Sequence, residues 1–284
     1  MIYTTGFKQN IENIATLALS VDPKLNLKSM DDLKKGYNYY ISCNQPNSLL
    51  RDNHQTYIEN IENISEKKTL AAQFSNDSNL NDLNQNNLIE NIEYPYSQNI
   101  KKNIENALNF LEKKAPQTKI LFDLVFNYYF LAHSSRAGGG TSSGALGVLW
   151  LNPKESWTVQ DYTEVMVHEL THQLLFIDER RYRHYINIED LVKKESYAYS
   201  TILNRQRPLD KVTHSYFVAL NVLKYRELNF KNGKPIVHPE SKKIENSLKE
   251  TINSLNTYHY SLMSDRLSKL LKMKESKYET IAVG

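Results

Sequence analysis

The sequence predicts an α+β fold, predominantly helical, with a small sheet next to one long buried helix. Three observations predict it. Residues 165 to 177 carry two stripes at helical spacing, one of Val165, His168, His172, Leu175 and Phe176, the other of Val167, Leu170, Leu174 and Ile177. Apolar residues on two faces mean a helix covered on most sides. Upstream, Ala145 to Leu151 is a short apolar run that ends at Asn152 and Pro153, the profile of a strand stopped by proline. Downstream, helical periodicity returns in Leu191 to Leu203, Val212 to Leu228 and Ser241 to Leu271.

Taken in order, the chain divides into three regions. Residues 1–117 form a helical N-terminal region rich in Asn, Ile, Glu and Lys, a candidate substrate-recognition segment or cap. Fragments around Asn10 to Ile14, Asn60 to Ile64 and Asn103 to Asn106 recur at irregular spacing, which is compositional bias and not a solenoid repeat. Leu33 to Tyr40 and Ile100 to Lys113 read as helices, and Phe74 to Asn87 as a polar loop.

Residues 118–230 form the core region. Thr118 to Ala132 is apolar and aromatic, a buried strand or a buried helix. Arg136 to Gly144 is a Gly/Ser loop without the Gly-Lys-Ser/Thr ending of a phosphate loop or the spacing of a dinucleotide site, so a tightly turned or flexible loop is expected. Asp161, with Glu164 three residues on, resembles a capping box for the long helix. Asp178 to Tyr185 is densely charged and reads as a solvated helix end, with His184 at the surface. Residues 231–284 begin with a linker at Asn232 to Pro235 and continue as C-terminal helices that pack on the core.

Composition sets bounds on function. The 284 residues suffice for one large domain with helical additions, and 40% hydrophobic and 24% charged residues describe an ordinary globular protein. A net charge of +3 argues for neither nucleic acid nor an anionic membrane as partner. The single cysteine, Cys43, excludes a disulfide framework within the chain. The first residues lack a signal-peptide pattern, and the longest apolar run, Ile120 to Ala132, is interrupted by Asp123 and Asn127 and is too short to span a bilayer. A cytoplasmic location is expected.

The chemistry concentrates in His168, Glu169 and His172, an HExxH motif inside the apolar helix. Histidines at i and i+4 lie one above the other on a helical face, about 6 Å apart at Cβ, which suits two ligands of one divalent metal ion. Two histidines hold a metal weakly, so a third protein ligand is expected. Glu195, 23 residues after His172, is one candidate. It belongs to the gluzincin arrangement, with Glu169 as general base to a zinc-bound water and Tyr197 or Tyr199 stabilising an oxyanion. His214, 42 residues after His172 and preceded by Arg207, is the other. An arginine there suits bidentate binding of a carboxylate such as that of 2-oxoglutarate. The strand Ala145 to Leu151, if it forms an edge beside the motif, suits an extended peptide by β-augmentation.

The segment from Ser200 to Phe217 resembles the region after the motif helix in the HExxH-type peptide β-hydroxylases associated with ribosomally made, modified peptides. Their pattern there is roughly S-P-W-R-x-x-x-R-P-L-x-G-x-x-H-G-x-Y, and it fits without a gap. Arg207, Pro208, Leu209 and His214 match, whereas Thr201, Ile202, Leu203, Lys211 and Ser215 depart from it. The block from Gly139 to Gly147 is also similar, so the likeness covers about residues 138 to 228. It implies a peptidase-like, that is zincin-like, core used for oxidation: a dioxygenase dependent on Fe(II) and 2-oxoglutarate that hydroxylates a β-carbon in a precursor peptide. His168 and His172 would be iron ligands, with His214 or Glu195 completing the set, and Arg207 would bind 2-oxoglutarate. Glu169 would then serve by orienting a ligand. Two further readings stand beside it: a gluzincin-type zinc metallopeptidase, and a non-catalytic peptide-binding protein on the same fold.

Overall fold

The computed structural model describes residues 5–45, 57–58, 64–74, 88–93, 96–231 and 233–272. They are mostly helical, with two small sheets, which agrees with the expected α+β class.

The chain opens with helices α1 (Phe7–Val21) and α2 (Met30–Asn44), the latter started by a capping box between Ser29 and Asp32. After strand β1 (Tyr57–Ile58) and helix α3 (Ile64–Ala72), the polar loop expected from Phe74 to Asn87 lies, beyond Phe74, outside the described residues. Helix α4 (Gln98–Lys114) takes its cap from Ser97, and α5 (Pro116–Val125) begins on a proline whose missing N–H costs nothing at that position. The run from Thr118 to Ala132 is both helix and strand, because α5 ends and strand β2 (Tyr128–Leu131) follows two residues later. The division is sealed by Lys34, whose Nζ donates to the carbonyls of Asp123, Leu124 and Phe126 at 2.8, 3.1 and 2.8 Å. Those are oxygens that the last turn of a helix leaves unsatisfied.

Strands β3 (Gly139–Ser142) and β4 (Ala145–Leu151) complete a sheet ordered β1-β2-β4-β3, parallel except for the β3–β4 hairpin. Two expectations are corrected here. The Gly/Ser segment is a strand at the sheet edge, and Ala145 to Leu151 is an interior strand buried along its whole length. The glycines explain the first correction. A Cβ on Gly139 would stand 2.8 Å from the Trp150 carbonyl, and one on Gly140 2.6 Å from Trp150 Nε1, so side-chain-free residues let the edge strand lie directly on the indole.

Helix α6 (Val159–Tyr182) carries the HExxH motif. Its capping box is one turn earlier than Asp161 and Glu164 suggested. Thr158 is the cap and Asp161 the reciprocal residue, while Glu164 is fully buried in an ion pair. The charged end of α6 is not solvated as expected, because Asp178 and His184 are both buried. Asp178 accepts from Asn13, and from Arg266 through two bonds, and pairs with His184 at 2.9 Å.

The helix expected from Leu191 to Leu203 is replaced by two single 3₁₀ turns and a hairpin of β5 (Ala198–Ser200) and β6 (Arg205–Arg207). Ala198 and Ser200 are buried with Tyr199 between them half-exposed, the period of a strand, and Asn204 supplies the positive φ of 50° at the turn. Helix α7 (Leu209–Asn229) then starts at Pro208. The long C-terminal helix expected from Ser241 to Leu271 is broken into α8 (Ser241–Ser254), α9 (Thr257–Leu262) and a helical stretch at 265–272. Asn256 caps α9 with His259, which forces the break.

One hydrophobic cluster unites Ile14, Tyr37, Ile104, Phe122, Leu149, Val167 and Tyr225, so the N-terminal helices share a core with the sheet and α6. A second joins Leu175, Phe217, Val222, Leu248, Leu262 and Leu271, packing the C-terminal helices against α7. Helix α6 runs between the two. Among the described residues no helix is long and apolar enough to cross a membrane.

Candidate metal centre

Between Gln160 and Asp178, helix α6 is buried at every position except His168, His172 and Phe176. These are spaced four residues apart, so one narrow stripe of the helix faces an opening, and that stripe carries both motif histidines. Their ring centroids are 5.1 Å apart.

Each motif histidine meets a histidine from another segment. His172 Nδ1 lies 3.0 Å from Nδ1 of His214, in the second turn of α7. His168 Nδ1 lies 3.0 Å from Nε2 of His238, in the segment between α7 and α8. Phe176 packs on His214 with centroids 4.9 Å apart and closes that end of the row. The α6–α7 contact is tied by Asn221, which donates to Thr171, which in turn bonds back to the Val167 carbonyl. Among the described residues, no three His, Cys, Asp or Glu side chains converge as one group able to hold a metal ion. The donors nonetheless have the right chemistry. Burial pushes His168 down to about 3, and His172 and His214 well below the ordinary imidazole value, so all three are neutral and able to offer a lone pair.

Glu169 is buried on the neighbouring face. Its Oε1 is 3.9 Å from His168 Nε2, and its Oε2 accepts from Thr141 Oγ1 of β3 at 3.0 Å. Burial raises it to about 7, against the opposing pull of the Thr141 bonds. The edge strand and the motif helix therefore meet through Thr141 on Glu169, and also through Gln173 Nε2, which donates to the Ser142 carbonyl at 3.5 Å.

Arg207 ends β6 and is half-exposed. Its charge and that of Lys211 both depress His172 after burial and the neighbouring histidines have acted, so the two cations lie within electrostatic reach of the histidine row. Glu195 is exposed on the turn Lys194–Ser196, and it is His214, not Glu195, that stands against His172. Tyr197 lies under the Lys194 ammonium and Tyr199 donates to Asn204.

His238, Glu164 and Arg226 were missed by sequence reasoning. Arg226 grips Glu164 with two bonds of 2.8 Å, and His238 Nδ1 is 3.2 Å from Glu164 Oε2. A signal existed for Glu164: it sits one turn before His168 on a helix whose two apolar faces mean cover on most sides, where a carboxylate needs a buried cation. Nothing in the sequence pointed to His238, 70 residues from His168. No protein-family model and no curated protein sequence matches the chain.

Proposed function

We propose that the chain is a dioxygenase dependent on Fe(II) and 2-oxoglutarate that hydroxylates a β-carbon in a ribosomally made precursor peptide. The observation that carries this reading is the approach of His214 to His172 at 3.0 Å, which brings the matching Arg-Pro-Leu and His positions of the β6–α7 segment to the motif helix. In this reading His168, His172 and His214 are the ligand set. Iron with 2-oxoglutarate and O₂ supplies the oxidising chemistry, in which the keto acid leaves as succinate and CO₂ while a C–H bond becomes C–OH. A set of only three protein ligands would leave positions open on the metal for the keto acid and O₂. Arg207 clamps the far carboxylate of that co-substrate. The terminal strand β3, bonded to Glu169 through Thr141, offers backbone groups to an extended peptide.

One observation favours a second reading, a zinc metallopeptidase. Glu169, held near 7 by burial and 3.9 Å from His168 Nε2, suits a general base at neutral pH. In that case His214 takes the ligand role that Glu195 was expected to fill.

The deciding experiment needs no peptide. Metal-free protein is loaded anaerobically with Fe(II), 2-oxoglutarate is added, and the visible spectrum is recorded. A charge-transfer band that is lost in His172→Ala supports the dioxygenase. No band, together with zinc-dependent cleavage of a peptide library that Glu169→Gln abolishes, replaces it with the peptidase.

A further inference from the structure

Beside the contact of α6 with α7, where the start of α1 packs against both, the fold encloses a small cavity of about 10 Å³. Among the described residues it is lined by Thr5, Asn10, Thr171, Leu174, Leu175 and Asn221. Most of its polar wall is already bonded. Asn221 Nδ2 donates to Thr171 Oγ1 at 3.0 Å, and Thr171 Oγ1 donates to the Val167 carbonyl at 2.7 Å. Thr5 Oγ1 donates to Asn10 Oδ1 at 2.8 Å. Asn10 Nδ2 is the exception. The residue is 1% exposed, and this nitrogen has no hydrogen-bond partner among the described residues. A buried donor left unpaired is costly, and native interiors satisfy nearly all of them.

Size, charge and bonding together define the occupant. The unmatched atom is a donor, so the occupant must present a lone pair to it. None of the six lining side chains is charged, so an anion would be buried without a counter-charge and a metal ion would meet no carboxylate. A cavity of about 10 Å³ corresponds to roughly one water molecule, which excludes an organic ligand. The second partner is also present. A hydroxyl has two lone pairs, and Asn221 takes one of those on Thr171 Oγ1, so the other accepts. Thr5 Oγ1, which donates to Asn10, keeps the capacity to accept as well. One acceptor bond from Asn10 and two donor bonds to the threonines make about three, the usual number for an internal water.

We propose that this cavity is a binding site for one internal water that joins Asn10 Nδ2 of α1 to Thr171 Oγ1 of α6. Thr171 directly precedes His172, so the water fastens the N-terminal helix to the turn of α6 that presents the motif. Leu174 and Leu175 form the apolar wall that keeps it from bulk solvent. The site goes beyond the functional reading above and depends on neither a metal nor a reaction.

The test is a crystal structure of the full chain at a resolution that orders internal waters, with ¹⁷O water relaxation dispersion on the same protein in solution. The wild-type map is expected to show one water within hydrogen-bond distance of both Asn10 Nδ2 and Thr171 Oγ1. Asn10→Leu, similar in volume but without the donor, is expected to lose that water and to lower the dispersion amplitude by one long-lived molecule. The wild-type map needs no variant, so the test stands even where Asn10→Leu does not fold. A wild-type cavity without density, density of another shape, or Asn10 Nδ2 bonded to a protein atom overturns the proposal. So does a water retained unchanged in Asn10→Leu. None of these outcomes touches the dioxygenase reading, and failure of the Fe(II) and 2-oxoglutarate band leaves the water site standing.

Discussion

His172 and His214 face each other through their Nδ1 atoms at 3.0 Å, across the packed contact of α6 with α7. They are 42 residues apart in sequence, and the contact exists because β5 and β6 turn the chain back before Pro208 starts α7. If His214 completes a metal site, His214→Ala should weaken Co(II) or Zn(II) binding by at least the roughly 10–100-fold that losing an outer partner costs. Glu195→Ala, altering an exposed turn, should leave it unchanged. Chelator competition on the two variants measures both, and equal affinities would remove His214 from the ligand set.

Arg207 is predicted to bind the co-substrate and not the metal. A charge-assisted, bidentate hydrogen bond contributes roughly 1.5–3 kcal/mol, so Arg207→Ala should raise the Kd for 2-oxoglutarate by roughly 10–150-fold while metal affinity holds. Titration of the visible band with 2-oxoglutarate reads the first quantity. Unchanged 2-oxoglutarate affinity would show that the arginine does not hold the carboxylate.

Glu164 ties stability to acid pH. Burial alone would raise it, but the bonds from Arg226, His238 and Gln160 outweigh burial and hold it at about 2, below its ordinary 4.5. A depressed carboxyl binds protons more weakly in the folded chain than in the unfolded one, so its contribution is present above 4.5 and disappears as pH falls through 2. The loss amounts to about 3 kcal/mol over that window. Urea unfolding between those pH values should show this slope in the wild type and a shallower one in Glu164→Gln, which at neutral pH should already be less stable by about 3–5 kcal/mol.

Gly140 is predicted to tolerate no side chain. With Trp150 Nε1 only 2.6 Å from where a Cβ would sit, Gly140→Val must push β3 off the indole. The expected destabilisation is about 1–3 kcal/mol. Because Thr141 follows directly, its bond to Glu169 should be disturbed as well. Denaturant midpoints measure the first effect. A variant as stable as the wild type would mean that the strand can shift freely.

Asp178 is predicted to be a structural anchor with no part in the chemistry. It joins Asn13 of α1, His184 and Arg266 to the C-terminal half of α6. Asp178→Ala should cost about 3 kcal/mol, the lower end for a broken buried pair, since Arg266 keeps 26% of its side chain in solvent. Thermal unfolding reads the loss, and metal affinity measured below the transition should not move.

Where the sequence reading failed, it failed at positions whose state depends on distant partners. Leu191 to Leu203 has helical spacing, yet Ala198 to Ser200 pairs with Arg205 to Arg207 because Ser254 and Ser215 bond the hairpin from other helices. His184 sits among charges and reads as surface, but it is buried against Asp178, which Arg266 and Asn13 also hold. The glycines at 139 and 140 read as a loop, since neither residue reveals that Trp150 lies beneath them.

The sequence by itself determined what is periodic and local. The α6 helix, its two histidines on one stripe with Glu169 between them, the strand stopped before Pro153 and the α7 helix bearing His214 all follow from spacing and caps within a few residues. Only the tertiary structure decided which side chains meet: His214 against His172, the sheet edge passing from β4 to β3 among the described residues, and the Arg226–Glu164–His238 chain behind His168. The physical reason is that a helix periodicity places residues on a face, whereas the partner of that face is selected by burial and hydrogen-bond satisfaction among segments 40 to 70 residues away, for which a local pattern carries no signal.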